Sequence, residues 1–230
     1  IFYSLTLFSA LVGLALYRWL PETLAASAER LPLRGSLGRY LGLFRDREFL
    51  TFALAGGLSI SAMFAYVAGS PFVFIELYGV PAEHYGWLFG VNAAGFILAA
   101  QLNAWLMRFR GPGFWLRRLS VLFLFCALLL LAFAAWQAPL WLLMLPLFVA
   151  MGCLGCILPN AAACAMARQG RQAGSASALM GSLQFAVAAL ASALVGVLHD
   201  GSALPMAVVI AGCALLAALL AWYSGQVEAR

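Results

Sequence analysis

Charge is what this chain has least of. Of its 230 residues only 9% are charged, 13 basic and 8 acidic; there is no lysine, so every basic residue is an arginine. A soluble domain carries about 25% charged and about 45–50% apolar residues. So few charges could not solvate the surface of a water-borne globule of this size. They also exclude disordered, coiled-coil and collagen-like chains. Catalytic and metal motifs are missing too: there is no H-E-x-x-H, no P-loop, no G-x-G-x-x-G and no Ser-His arrangement within an apolar run. The five cysteines all lie in apolar runs. Cys153 and Cys156 form a C-x-x-C with no second ligand pair, so they read as small packing residues, with no disulfide framework, metal site or cofactor implied. What the chain has in excess is hydrocarbon, 65% hydrophobic residues with a mean hydropathy of +0.99. Its solvent is lipid. At about 20 residues per bilayer span, six or seven helices fit.

Seven apolar runs follow from the positions of charged and turn-forming residues: 1–17, 49–77, 85–107, 119–136, 140–167, 174–198 and 204–222. They are continuous rather than alternating, which favours helices over barrel strands. The loops then sort by charge. Six arginines from Arg18 to Arg47 lie between the first and second spans, and Arg108, Arg110, Arg117 and Arg118 between the third and fourth. Arg168 and Arg171 follow the fifth, and Arg230 ends the chain. The other three connections have none, so all thirteen fall on one side of the membrane. The positive-inside bias makes that side cytoplasmic and places the C-terminus there. Spread over inner loops, the arginines do not form the basic face that nucleic-acid binding needs.

The first span stands apart, joined to the rest by a long connection in which Leu37, Tyr40, Leu41 and Phe44 recur at helical spacing, the pattern of a short amphipathic surface helix. The chain begins at Ile1 inside an apolar run, without an initiator Met or a charged leader region, and so reads as part of a longer protein. The expected domains are 1–17, the last helix of a preceding block; 18–48, a cytoplasmic linker; 49–222, a six-helix bundle; and 223–230, a tail. The second and fifth spans each open a group of three and each carry a late proline, Pro71 and Pro159. Two inverted triplets with matching interruptions suit a transporter's binding region, although prolines are common in membrane helices anyway.

Polar residues in lipid need a partner, a cavity or the interface. The fourth and seventh spans carry almost none and are expected to face lipid all round. In the second span Ser59, Met63, Tyr66 and Ser70 are spaced by 4, 3 and 4 and share one stripe, expected to line a cavity together with Asn160 of the fifth. Gly69 and Pro71 form an expected kink, as does Pro159. Asn92 and Asn103, eleven apart, share a face and read as helix-packing residues; so do Gln184 and the small residues Gly174, Ser177, Ala178 and Gly181. Glu76, the only carboxylate within a span, lies at its outer end. Solvation at the interface is favoured there over a proton-linked role.

Tyr66-Val67-Ala68-Gly69-Ser70-Pro71-Phe72-Val73-Phe74-Ile75, then Tyr78-Gly79-Val80 and Tyr85-Gly86-Trp87-Leu88-Phe89-Gly90-Val91-Asn92, resembles the Bcr/CflA group of drug-resistance transporters in the major facilitator superfamily. Pro21-Glu22-Thr23-Leu24, Gln101-Leu102-Asn103, Leu158-Pro159-Asn160-Ala161 and Ala173 to Ala178 extend the likeness over nearly the whole chain. The resemblance implies an all-α membrane protein of two six-helix halves around a central cavity, of which this chain would be one helix plus the C-terminal half. It implies proton-driven export of hydrophobic drugs such as bicyclomycin or chloramphenicol across a bacterial inner membrane, with the N-terminal half as partner. The coupling acids of the group would lie in that half. Arg108-Phe109-Arg110-Gly111-Pro112-Gly113 is a degenerate version of the superfamily's gating loop. A metabolite permease of the same superfamily and a non-transporting membrane scaffold are the alternative readings.

Overall fold

A computed structural model describes residues 2–21 and 34–228. Glu22, Thr23, Leu24, Arg30 and Arg230 lie outside the described residues. The chain divides into two units, residues 1–36 and 37–230. The first holds helix α1, Phe2–Trp19, none of whose residues is buried.

The second unit begins within α2, Arg34–Arg45, and continues as α3, Arg47–Pro71. After α3 come α4, Ala82–Leu106; α5, Pro112–Ala135; α6, Leu140–Met166; α7, Ala173–Val197; and α8, Leu204–Glu228. With α1, seven helices among the described residues are long and apolar enough to span a membrane. In α2 the packed residue is Leu43, fully buried beside a half-buried Tyr40, while Leu41 and Phe44 are exposed.

Local chemistry sets the helix ends. Asp46 caps α3, its carboxylate accepting the Phe49 amide at 3.1 Å. Pro112 sits in the first turn of α5, where its missing N–H costs nothing. That start lies seven residues before the expected one, so Arg117 and Arg118 belong to the helix rather than to a loop. Beyond Pro71 the α3 helix widens into a π turn, Phe72–Leu77, which closes with the Tyr78 amide bonded to the Val73 carbonyl. The α5–α6 turn places Gln137 in the left-handed region, φ 49°, with the Ala138 amide reaching back to the Phe133 carbonyl. The Tyr78 hydroxyl donates to the Ala138 carbonyl at 2.6 Å and ties this turn to the end of α3. Burial pushes the Tyr78 phenol above its ordinary value.

Packing follows a two-fold rule. Helix α3 packs on α6, α7 and α8; α6 packs on α3, α4 and α5; α5 packs on α8. Exchanging α3 with α6, α4 with α7 and α5 with α8 leaves this pattern unchanged. These are two inverted three-helix repeats, each built mainly on the other.

One expectation is corrected here. Neither α5 nor α8 faces lipid all round: α5 buries Phe123, Ala127, Leu130 and Ala134, and, against 11% for α4, 61% of the most apolar stretch of α8 is buried. Ala207, Ile210, Ala214, Ala217 and Ala221 form its buried stripe. An apolar side chain is equally at home in lipid or against another helix, so composition alone does not choose between them.

Candidate functional site

Helices α3 and α4 both pack on α6 rather than closely on each other. The gap between them is a pocket of about 350 Å³. Met63, Tyr66 and Val67 form one wall, Phe89, Asn92 and Phe96 the other, and Met151 of α6 lies behind. No charged residue lines it. Thioethers and aromatic faces make such a wall adaptable and sticky for flat apolar molecules.

Its polar chemistry centres on Asn92, only 1% exposed. The Asn92 amide group donates to the Tyr66 hydroxyl at 3.1 Å and to the Leu88 carbonyl at 3.2 Å. Its side-chain oxygen is buried without a partner. The Tyr66 ring stacks on Phe89, with centroids 5.6 Å apart and planes 11° apart. One turn further out, the Ser70 and Tyr85 hydroxyls share a hydrogen bond of 2.9 Å. Phe74 packs against both tyrosines and completes an aromatic box. Tyr85, Phe89 and Met151 were missed by sequence reasoning. The first two are one turn apart on the α4 face that carries Asn92, a signal the stripe analysis of α3 alone did not use.

The predicted cavity residues separate. Met63 and Tyr66 line the pocket, and Ser70 lies just outside it. Ser59 is fully buried and donates to the Ala55 carbonyl at 2.8 Å. Asn160 pairs reciprocally with Asn103, at 2.9 and 3.3 Å, and binds α6 to α4 away from the pocket. Asn92, expected only to pack, lies at the pocket. Gln184 rests against Gly56 and Gly57 at the α3–α7 crossing. Gly69 faces Met206, which a Cβ would approach to 2.9 Å. Pro71 ends the α-helical part of α3, whereas α6 runs unbroken through Pro159 and through Pro146, which the sequence reading passed over. Gly174, Ser177 and Ala178 are exposed, Gly181 is half-exposed, and a Cβ on either glycine would meet nothing within 4 Å. Glu76 is exposed on the π turn.

At the arginine-bearing end a second polar group joins α3 to α6. Arg168 pairs with Glu48 at 2.6 Å. The Gln169 amide donates to Asp46 at 2.8 Å and its oxygen accepts from Gln172 at 2.8 Å.

Residues 1–192 match the family described as "Major Facilitator Superfamily". The chain belongs to the major facilitator superfamily. This facilitator chain is 32% identical over 224 residues, 95% of its length and 54% of the relative's, to an uncharacterized MFS-type transporter, YdgK, of Bacillus subtilis. It is 29% identical over 225 residues, 97% of its length and 56% of the relative's, to a bicyclomycin resistance protein homolog of Haemophilus influenzae. The multidrug transporter MdfA of Edwardsiella ictaluri is 35% identical over 100 residues, 41% of this chain and 24% of the relative. The resemblance to the Bcr/CflA group is supported by these relatives, and the facilitator family is one of transporters rather than enzymes. The chain spans about half the length of the first two relatives.

Proposed function

We propose that this chain is the C-terminal half of a proton-coupled drug exporter, and that the α3–α4 pocket forms part of its substrate wall. The observation that carries the reading is the pocket's chemistry. An uncharged lining of aromatic, thioether and aliphatic side chains suits a neutral, largely apolar molecule. Relatives named for bicyclomycin and multidrug resistance support the substrate class. The proton-handling groups belong, in this reading, to the N-terminal half, since Glu76 is exposed at the outer end. The arginine-bearing loops and the C-terminus face the cytoplasm of a bacterial inner membrane.

The test uses the full-length protein in cells. Tyr66→Ala removes the stacked ring and the Asn92 partner together. It should lower efflux of at least one hydrophobic drug about tenfold, with membrane levels unchanged. Unchanged efflux of every drug tested would remove the pocket from the substrate path. Glu76→Gln should leave pH-driven export intact. The metabolite-permease reading is separated by competition: polar metabolites should fail to slow drug efflux.

A further inference from the structure

Helix α4 is held by one seam. Among the described residues it packs closely on α6 and on no other long helix, and it touches the π turn that follows α3. The seam is backbone and small residues. A Cβ on Gly155 would strike the Phe96 carbonyl, and one on Gly95 would meet the Phe148 ring at 2.5 Å. The Cys156 thiol donates to the Ala99 carbonyl at 3.1 Å. With so little side chain between the two backbones, few interlocking ridges resist a change of crossing angle.

Two voids flank the seam diagonally. The α3–α4 pocket borders α4 from Phe89 to Ile97, along the half that begins at Ala82. A second void, of about 370 Å³, borders α4 from Gly95 to Leu106, along the half nearer the arginines, and separates it from Leu119 of α5. A stiff helix that swings its first half away from α3 must swing its second half the other way. The second void is the room that this movement needs.

The bonds on α4 are placed to match. Its first half is tied to α3 by the Asn92 amide on the Tyr66 hydroxyl, at 3.1 Å, and by the Ser70–Tyr85 hydroxyl pair, at 2.9 Å. Its second half is tied elsewhere. Asn103 pairs with Asn160 on the α6 face, and the Trp115 indole of α5 donates to the Leu106 carbonyl at 3.0 Å. Both of these survive a tilt toward α5, since one lies on the axis of the seam and the other already reaches α5. The two bonds to α3 do not survive it.

We propose that α4 is a lever pivoted on Gly155. Release of the Asn92–Tyr66 and Ser70–Tyr85 bonds frees its first half to leave α3 and widen the α3–α4 pocket, while its second half closes the void beside α5. The lever does not rest on the transport reading, because the pocket widens whatever enters it.

Nitroxides at Trp87 of α4 and Val197 of α7, both exposed, report the movement in the full-length protein by electron–electron double resonance. Helix α7 packs on α3 and serves as the fixed reference. Trp87 lies about 13 Å along the helix from Phe96, at 1.5 Å per residue. A tilt of about 15–20°, the ordinary scatter of helix crossing angles, moves it by about 4 Å. Y66F/S70A removes one partner from each bond to α3. It should raise the weight of a second distance, about 4 Å longer, by about tenfold relative to the first. V149F, which fills the void beside α5, should return that double variant to the native distance. An unchanged distribution in folded Y66F/S70A would overturn the lever, and so would a shift that persists with V149F added. If the double variant does not fold, Y85F decides: it deletes a single hydroxyl and should raise the longer distance several-fold, and no change there would equally overturn the proposal.

Discussion

The Asn103–Asn160 pair shows what a single polar residue does in a span. Each carboxamide donates to the other's oxygen, at 2.9 and 3.3 Å, and both residues are at least nine-tenths buried. The crossing helices shield both amides from water. Asn160→Leu should strand the Asn103 carboxamide and cost about 1–2 kcal/mol, read by unfolding in mixed micelles. The double variant N103L/N160L should recover part of that loss, with a coupling of about 0.6 kcal/mol or more. Strict additivity would show that the two bonds contribute nothing jointly. The sequence shows that Asn92 and Asn103 share a face, because eleven residues are about three helical turns. It does not show their partners. Period fixes the direction in which a side chain points, and only the crossing helix decides what it meets, here Tyr66 for one and Asn160 for the other.

At the scale of the element, α4 crosses α6 backbone to backbone at Gly155. A Cβ at Gly155 would collide with the Phe96 carbonyl and come within 3.1 Å of the Ala100 amide nitrogen, both backbone atoms that cannot step aside. G155A should therefore destabilise by about 1–3 kcal/mol. G212A on α8, where a Cβ meets nothing within 4 Å, should change stability by less than about 0.5 kcal/mol. Thermal unfolding of the two variants in one detergent compares them directly, and equal stabilities would show that the crossing tolerates a methyl group. Span number and order were legible because length and hydropathy are properties of one helix. Helix-to-helix closeness was not, because Gly155 and Gly212 look alike in sequence and differ only in what faces them. The same blindness explains α8. Its alanines pack against α3 and α5, yet their composition is equally that of a lipid-facing helix.

For the whole molecule, the two-fold contact pattern puts α3 and α6 at the centre and pairs α5 with α8, while α4 packs mainly on α6 and α7 mainly on α3. The sequence pointed to the two triplets through Pro71 and Pro159. It could not say which helices of one triplet meet which of the other. That pattern gives the small-residue stripe on α7 a specific meaning. Gly174, Ser177 and Ala178 are exposed, and at Gly174 and Gly181 nothing within 4 Å would oppose a side chain. In lipid an open stripe of small residues stabilises nothing until another helix approaches it closely. If this chain is, as proposed, one half of a transporter and the other half supplies that helix, S177L/G181L should leave this chain's own packing intact while blocking assembly. Co-expressing the two halves as separate chains and purifying through a tag on this one separates the effects. The variant should reach the membrane at normal levels and unfold within a few degrees of the native C-terminal half, yet recover several-fold less of the N-terminal half. Undiminished recovery would mean that α7 meets lipid along this stripe and that the halves join elsewhere.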